Sequence, residues 1–262
     1  MADILRIERL FVQYGAAQIL KNINLTMKRG EIVGIAGESG SGKSTLLRSV
    51  AGLLDGSGKI ESGHIYFGDT ALETLSPKEY RQLRGTRLSM IFQDDSISFS
   101  PVMKIKQHLY DLVRAHGKLD KKAAEECMLE MLGRLNLQDG QRILNSYSFE
   151  LSGGMSQRVS IAMAMLLKPD FLLADEPTSA LDVTIQSQVI KELIGLRDYF
   201  GTGILIVTHN MGVLAQMADK VGILYEGELV EFGDKDQVMR RPEHEYTQKL
   251  MAAIPRLEGG SE

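Results

Sequence analysis

The chain has 262 residues, 44% of them hydrophobic and 24% charged, with a formal net charge of −4. That supplies enough apolar residue to fill one large core, and the acidic balance argues against a general nucleic-acid binder, which carries a basic field. The one cysteine, Cys127, excludes an internal disulfide or a cysteine-based metal cluster, and no apolar run reaches the length that spans a bilayer.

Asp3, Arg6, Glu8 and Arg9 make the start read as neither a signal peptide nor an anchor. Residues 4–14 and 19–27 alternate apolar with polar positions, as two strands of an antiparallel sheet do. Residues 31–36 form an apolar run that reads as a buried strand. Directly after it, Gly37-Glu38-Ser39-Gly40-Ser41-Gly42-Lys43-Ser44-Thr45 matches the phosphate-loop pattern G-x-x-x-x-G-K-[ST]. A helix is expected over residues 43–54, with Leu46, Leu47, Val50 and Leu53 at helical spacing.

The residue types in that loop have physical reasons. Glycines let backbone N–H groups turn inward into a concave anion nest, and the helix N-terminus adds its positive dipole end. Lys43 is a mobile point charge that reaches β- and γ-phosphates, and the Ser44 hydroxyl is placed to ligate Mg²⁺. A glycine-rich turn matching by chance is the competing reading. The strand before and the helix after disfavour it.

Further along, residues 64–67 read as a strand ending in the turn Gly68-Asp69. Ser76 and Pro77 open a helix as N-cap and first helical residue, and residues 88–92 form another buried strand. Residues 93–101 are a polar loop, and from Ile105 the pattern is helical. Asp120 caps a helix on which Ala124, Cys127, Met128, Met131 and Leu135 make an apolar stripe, so Cys127 reads as packing rather than reactive. Residues 94–168 are expected to be a helical lobe inserted into an α/β core. Strands at 171–175 and 203–207, a helix at 183–200 and a hairpin at 221–232 around Glu226-Gly227 resume the core. A last helix over 243–254 ends before Pro255, ahead of a frayed tail at 259–262.

Five other places carry chemistry. Asp175 and Glu176 stand at the end of an apolar strand, where Asp175 can join the Mg²⁺ shell and Glu176 can polarise the water that attacks a γ-phosphate. Ser152, Gly153 and Gly154 open a helix and form a second anion-binding N-terminus. One loop and helix suffice for one triphosphate; two nucleotides shared between two subunits, each capped by the other's second site, would explain a pair. His209 follows a strand and can contact the γ-phosphate, unlike His64, His108, His116 and His244, which read as scattered polar positions. Gln93 can reach the metal and the attacking water. On its own Tyr14 reads as a strand-end aromatic; in this company it reads as a stacking surface for adenine.

Together these residues closely resemble the ATP-binding subunits of ABC transporters, over essentially the whole chain. In that resemblance residues 37–45 are Walker A, 171–176 are Walker B with the catalytic acid, 151–155 the signature, Gln93 the Q-loop residue, residues 179–182 ending in Asp182 the D-loop, His209 the switch histidine and Tyr14 the A-loop aromatic. The stretch Phe92-Gln93-Asp94-Asp95-Ser96-Ile97-Ser98-Phe99-Ser100-Pro101, the LSGGM signature and His244-Glu245-Tyr246-Thr247 are similar to the peptide/nickel import family. Asp95 and Glu245 stand where that family has proline, Phe99-Ser100 where it has Leu-Asn, and Asn210 where it has aspartate.

The resemblance implies a phosphate-loop NTPase core carrying an N-terminal antiparallel β subdomain and an inserted helical lobe, all in one domain. The core would comprise residues 1–93 and 169–240, with a C-terminal helix and tail at 241–262. It also implies ATP and Mg²⁺ as ligands, and catalytic roles for Glu176, His209, Gln93 and Lys43. Ser39, Gly40, Ser41, Gly42, Thr45 and Asp182 would complete the nucleotide contacts. Implied partners are two membrane permease subunits, a second ATPase subunit and an extracytoplasmic solute-binding protein, at the cytoplasmic face of the cell membrane. Import rather than export follows from the family. Many peptide-importing members carry a cysteine-bearing C-terminal extension that this sequence lacks, a lean toward the nickel or nickel-chelate branch. The rival reading, a cytosolic ABC ATPase acting on nucleic acid or ribosomes, conflicts with the acidic charge, the single cassette and the absence of long coiled-coil insertions.

Overall fold

The computed structural model describes residues 3–93, 99–117, 119–179 and 181–253. Two sheets organise the chain. An antiparallel sheet has the strand order β2-β1-β4-β5, formed by β1 (Asp3–Tyr14), β2 (Ala17–Lys28), β4 (Gly58–Phe67) and β5 (Thr70–Ala71). The second sheet has the order β10-β9-β3-β8-β7-β6, with β3 (Ile32–Ala36), β6 (Leu88–Ile91), β7 (Phe171–Asp175), β8 (Gly203–Val207), β9 (Lys220–Tyr225) and β10 (Glu228–Asp234). Within it β9, β3, β8, β7 and β6 run parallel, and β10 closes the edge as an antiparallel hairpin partner of β9.

The apolar composition of the central strands follows from this geometry. A parallel strand is covered on both faces, so it cannot alternate apolar with polar residues. Every residue of β3, β7 and β8 is buried accordingly. The period of two then sorts side chains between two cores. Phe171, Leu173, Leu205 and Val207 face the antiparallel sheet and the helix Lys43–Ala51, beside Leu5, Leu20, Leu46 and Val50. Leu172, Ala174, Ile204 and Ile206 face the other way, packing with the helices Ile105–His116, Lys121–Arg134, Gly153–Met165 and Val183–Phe200. Each fully buried Leu, Ile or Phe contributes about 1.5–3 kcal/mol relative to exposure.

The helices between β6 and β7 and the antiparallel sheet at the start agree with the expected order of elements. Several bounds differ. The helix expected to reach residue 54 ends at Ala51, because Gly52 turns left-handed at φ +62° and closes it onto Arg48 and Ser49. Leu53 therefore lies beyond the helix. β4 begins six residues before the expected strand, through a stretch in which no residue is fully buried and so no apolar face marks a strand. The last helix is Glu245–Ala252 rather than one starting at 243, since His244 caps it by accepting from the Tyr246 N–H at 3.2 Å. Three short helices, Gly140–Asn145, Met211–Met217 and Lys235–Arg240, were not expected, nor were β5 and the turn of 3₁₀ helix Leu72–Thr74. Asp94 to Ser98 of the expected polar loop, Ala180, and Ile254 with the tail lie outside the described residues. Phe99, where the family has leucine, is buried with its ring edge-to-face on His108 at 5.3 Å between centroids.

Candidate active site

Parallel neighbours end on the same side of a sheet, so whatever follows them converges there. In register, Ile35 of β3 pairs with Val207 of β8, Val207 with Asp175 of β7, and Ala174 with Ile91 of β6. The phosphate loop, Glu176, His209 and Gln93 are the continuations of those four strands. A cavity of about 440 Å³ results, lined by Ser39, Gly40, Gly42, Lys43, Ser44, Thr45, Gln93, Glu176, His209 and Ile19.

The loop's shape depends on two glycines. Gly42 sits at the helix N-cap with φ +107°, and a Cβ there would lie 2.7 Å from Leu20 Cδ2. No side chain caps this helix, which leaves its first N–H groups for a ligand. A Cβ on Gly37 would lie 2.2 Å from the Leu224 carbonyl, so the loop rests directly on the end of β9.

Lys43 is buried, and its ammonium donates to the carbonyls of Gly37 at 2.8 Å and Glu38 at 2.7 Å. Burial pulls its pKa down, opposed by the carboxylates of Glu176, Asp175 and Glu38. The Ser44 hydroxyl donates to Asp175 Oδ1 at 3.0 Å. Asp175 is only 4% exposed, and burial pushes its carboxyl above the ordinary range against the Ser44 hydrogen bond. A buried carboxylate, a hydroxyl and a nearby amide oxygen are hard donors, the set that Mg²⁺ takes. Among the described residues no three His, Cys, Asp or Glu side chains converge as a metal cage, so an ion here would draw its remaining ligands from phosphate and water.

Glu176 adopts φ +48°, a left-handed conformation that costs a non-glycine residue about 1–3 kcal/mol. Its own N–H still donates to the Val207 carbonyl at 2.9 Å, extending the ladder by one residue. Its carboxylate meets His209, with Nδ1 at 2.8 Å from Oε1 and 2.7 Å from Oε2. Acid and imidazole are thus one unit at the cavity wall.

The expected residues do not all gather here. Tyr14 packs its ring on Gly58 and lies outside the cavity; burial, then its hydrogen bond to Asp55, raises the phenol pKa. Asp182 caps the helix Val183–Phe200, its Oδ1 accepting from Thr184 and Ile185 N–H at 3.0 Å each. Ser152 caps the helix Gly153–Met165, accepting from the Met155 N–H at 3.3 Å, and neither it nor Gly153 or Gly154 lines the phosphate cavity. Gly154 presses on the neighbouring helix, where a Cβ would lie 2.9 Å from Ile185. Gly153 instead faces a wider cleft of about 1300 Å³ with Asp175, Ser44 and Gln93 across it. Gly37 and Ser41 shape the loop from beneath without lining the cavity; Ser41 is buried.

Some contributors went unread in the sequence. Ile19 lines the cavity from β2, where it looks like any alternating apolar residue. Gln186 ties the turn after β7 to the turn after β8, donating to Thr178 Oγ1 at 3.0 Å and accepting from Asn210 at 3.3 Å. Arg158 and Glu192 form a buried ion pair at 2.8 Å that joins the two long helices beside the site. Arg158 stood next to the signature, but nothing in sequence spacing marks Glu192 as its partner.

The ABC transporter family profile matches residues 20–179, and that of the oligopeptide/dipeptide transporter C-terminal region matches residues 230–262. The chain is 38% identical to the dipeptide transport ATP-binding protein DppD of Bacillus subtilis, over 98% of this chain and 78% of that protein. It is 39% identical to the oligopeptide transport ATP-binding protein OppD of Haemophilus influenzae, over 100% of this chain and 82% of that one. The fold superposes on a post-hydrolysis dimer of the ATP-binding cassette MJ0796 bound to ADP and Pi with a TM-score of 0.77 and 28% identity, covering 88% and 98% of the two chains. It superposes on cbiO1 of Clostridium perfringens, part of an ABC transporter complex, with a TM-score of 0.79 and 28% identity over 98% and 97%.

Proposed function

The chain belongs to the ABC transporter family, as an ATP-binding ATPase subunit of its oligopeptide/dipeptide branch, and from that premise we propose that it powers peptide uptake through a membrane assembly. Its partners are two permease subunits, a second ATPase subunit and, through the complex, an extracytoplasmic solute-binding protein. No described helix is long and apolar enough to cross a membrane. In this reading, as in the family, the chain acts by docking on the permeases at the cytoplasmic face.

In this reading ATP enters the cavity with its phosphates over the uncapped helix N-terminus. Lys43 exchanges its two carbonyl contacts for β- and γ-phosphate oxygens. Ser44, Asp175 and Gln93 would hold Mg²⁺, which would supply neutralisation of charge on the phosphate oxygens. Glu176 orients the attacking water and draws off its proton, and His209 keeps that carboxylate aimed while contacting the γ-phosphate. Tyr14 stacks on adenine. The signature residues Ser152, Gly153 and Gly154, with Asp182, serve the nucleotide of the other ATPase subunit in a head-to-tail pair. Residues 94–168 move as a lobe against the core on closure, and the permeases turn with them.

One observation carries this reading: the strand-end groups share one cavity that the second anion-binding helix terminus does not line, Gly153 facing instead the wider cleft that borders it at Ser44 and Gln93. A site completed by another subunit accounts for both facts. Isolation of the tagged chain from its native cells in mild detergent tests it. Co-isolation of two polytopic membrane proteins, a second ATPase and a solute-binding protein that takes peptides is expected. Recovery of only ribosomal, DNA-bound or other soluble partners would overturn it.

A further inference from the structure

The segment around Tyr246, singled out in the sequence, has no part in the chemistry above. In the fold it reaches the phosphate loop from behind. The Tyr246 ring stacks on Tyr225 with centroids 4.0 Å apart and an interplanar angle of 27°. Tyr225 ends β9, directly after Leu224, whose carbonyl is the surface on which Gly37 rests. The turn that follows is pinned from the other side, where the Lys21 N–H donates to the Gly227 carbonyl at 2.8 Å and a Cβ on Gly227 would lie 2.3 Å from the Ile19 carbonyl. The end of β9 is therefore a wedge between the cavity wall at Ile19 and the C-terminal helix Glu245–Ala252.

The Tyr246 hydroxyl is buried and finds no hydrogen bond of ordinary geometry among the described residues. Burial raises its pKa, and Glu38 of the phosphate loop is the largest charged contributor to that rise. The Tyr225 pKa is raised chiefly by the neighbouring Glu226, and Glu38 adds to it. Glu38 matters because its carbonyl is one of the two that hold the Lys43 ammonium.

We propose that Tyr246 is a positioning residue for the phosphate loop: stacked on Tyr225, next to the Leu224 carbonyl on which Gly37 rests, it fixes the loop's first turn and so the resting place of Lys43. The stack, rather than the rest of the helix's packing, then sets ATP affinity without touching the chemical step. The inference rests on the reading of the Lys43 cavity as the ATP site.

Steady-state hydrolysis and ATP titration calorimetry on the full chain test it. Tyr246→Ala is expected to raise the ATP KM and Kd about tenfold, with kcat at saturating ATP within about twofold of the parent. Tyr246→Phe keeps the stack and should stay within about threefold. Leu250→Ala trims another apolar contact of the same helix with the core and leaves the Tyr225–Tyr246 stack in place, and should leave KM unchanged. If Tyr246→Ala does not fold, Tyr225→Leu breaks the stack from the other side and should give the same rise. An unchanged KM in the stack variants, or an equal rise in Leu250→Ala, overturns the proposal. Lys43→Ala separates the two levels: native ATP affinity in that variant would sink the ATP-site reading itself.

Discussion

Two helix N-termini in this molecule offer backbone N–H groups to an anion, and they are built differently. The phosphate-loop helix starts at a left-handed Gly42 with no side-chain cap, and Lys43, Ser44, Glu176 and His209 surround it. The signature helix starts at an extended Ser152 that caps its own Met155 N–H through a long 3.3 Å bond, and Ser152 and Gly153 are exposed. The physics of the helix end is the same in both. Only the first lies where parallel strands terminate, so Lys43, Glu176 and His209 line its cavity, whereas the second meets Asp175 only across the wider cleft. The second is the proposed half-site for another subunit's nucleotide. Gly154 seats it against Ile185, and the Arg158–Glu192 pair clamps its helix to the next.

The sharpest way to break this contrast is to remove the acid. Glu176→Gln should lower ATP turnover by a factor of roughly a hundred to ten thousand, the range of a general base, while ATP binding persists. Undiminished phosphate release would remove Glu176 from the assignment. Gly153→Asp attacks the other terminus, placing a carboxylate where a phosphate is expected. Calorimetric ATP binding to this chain should be unchanged, whereas turnover of the assembled transporter should fall by about two orders of magnitude, as when a transition-state donor is lost. Equal loss of binding in both variants would mean that the termini are not separate sites.

A smaller effect tests the clamp. Arg158 and Glu192 are 9% and 4% exposed in their side chains, and Asn136 donates to the same carboxylate at 3.0 Å. Glu192→Ala leaves a buried guanidinium unpaired and should cost about 3–5 kcal/mol in urea unfolding. Replacing both partners by Arg158→Met and Glu192→Leu should recover most of that loss.

The smallest concerns Asp175. Its folded pKa lies above the ordinary value because of burial, so the folded chain holds that proton more tightly than the unfolded chain does. The associated stability is full below the unfolded value of about 3.9 and is lost as pH rises through the folded pKa. Asp175→Asn keeps an oxygen to accept from Ser44 and removes the charge. Without nucleotide or Mg²⁺ its Tm should exceed the parent's at neutral pH and match it in acid; with both present the order should reverse. A parent Tm advantage in the ligand-free neutral state would contradict the burial argument.

Much of this was legible because sequence and fold share one constraint. Buried parallel strands have no polar residue to spare, so Asp175, Glu176 and His209 stood out at the ends of apolar runs. The phosphate loop declared itself through glycines that the backbone needs at Gly37 and Gly42. Ser76 as N-cap and Pro77 as first residue of the helix Pro77–Leu83 were local chemistry and appeared as expected; the reciprocal hydrogen bonds between Ser76 and Glu79 come from the structure. What stayed hidden depends on distance along the chain. The Arg158–Glu192 pair, the Gln186 bridge and the stack of Tyr225 on Tyr246 join residues that only the folded topology brings together. β4 was read short because none of its residues before Ile65 is fully buried, which leaves no apolar face to detect.

The central claim, a cavity on this chain completed by another subunit's signature, is tested most directly by determining the structure of the detergent-isolated assembly carrying Glu176→Gln, with ATP and Mg²⁺. The account predicts a γ-phosphate bound by Lys43 of this chain and by a signature serine of the second ATPase, with Ser152 of this chain released from Met155 onto the other nucleotide. A γ-phosphate contacted by this chain alone, with Ser152 still capping its own helix, would contradict it.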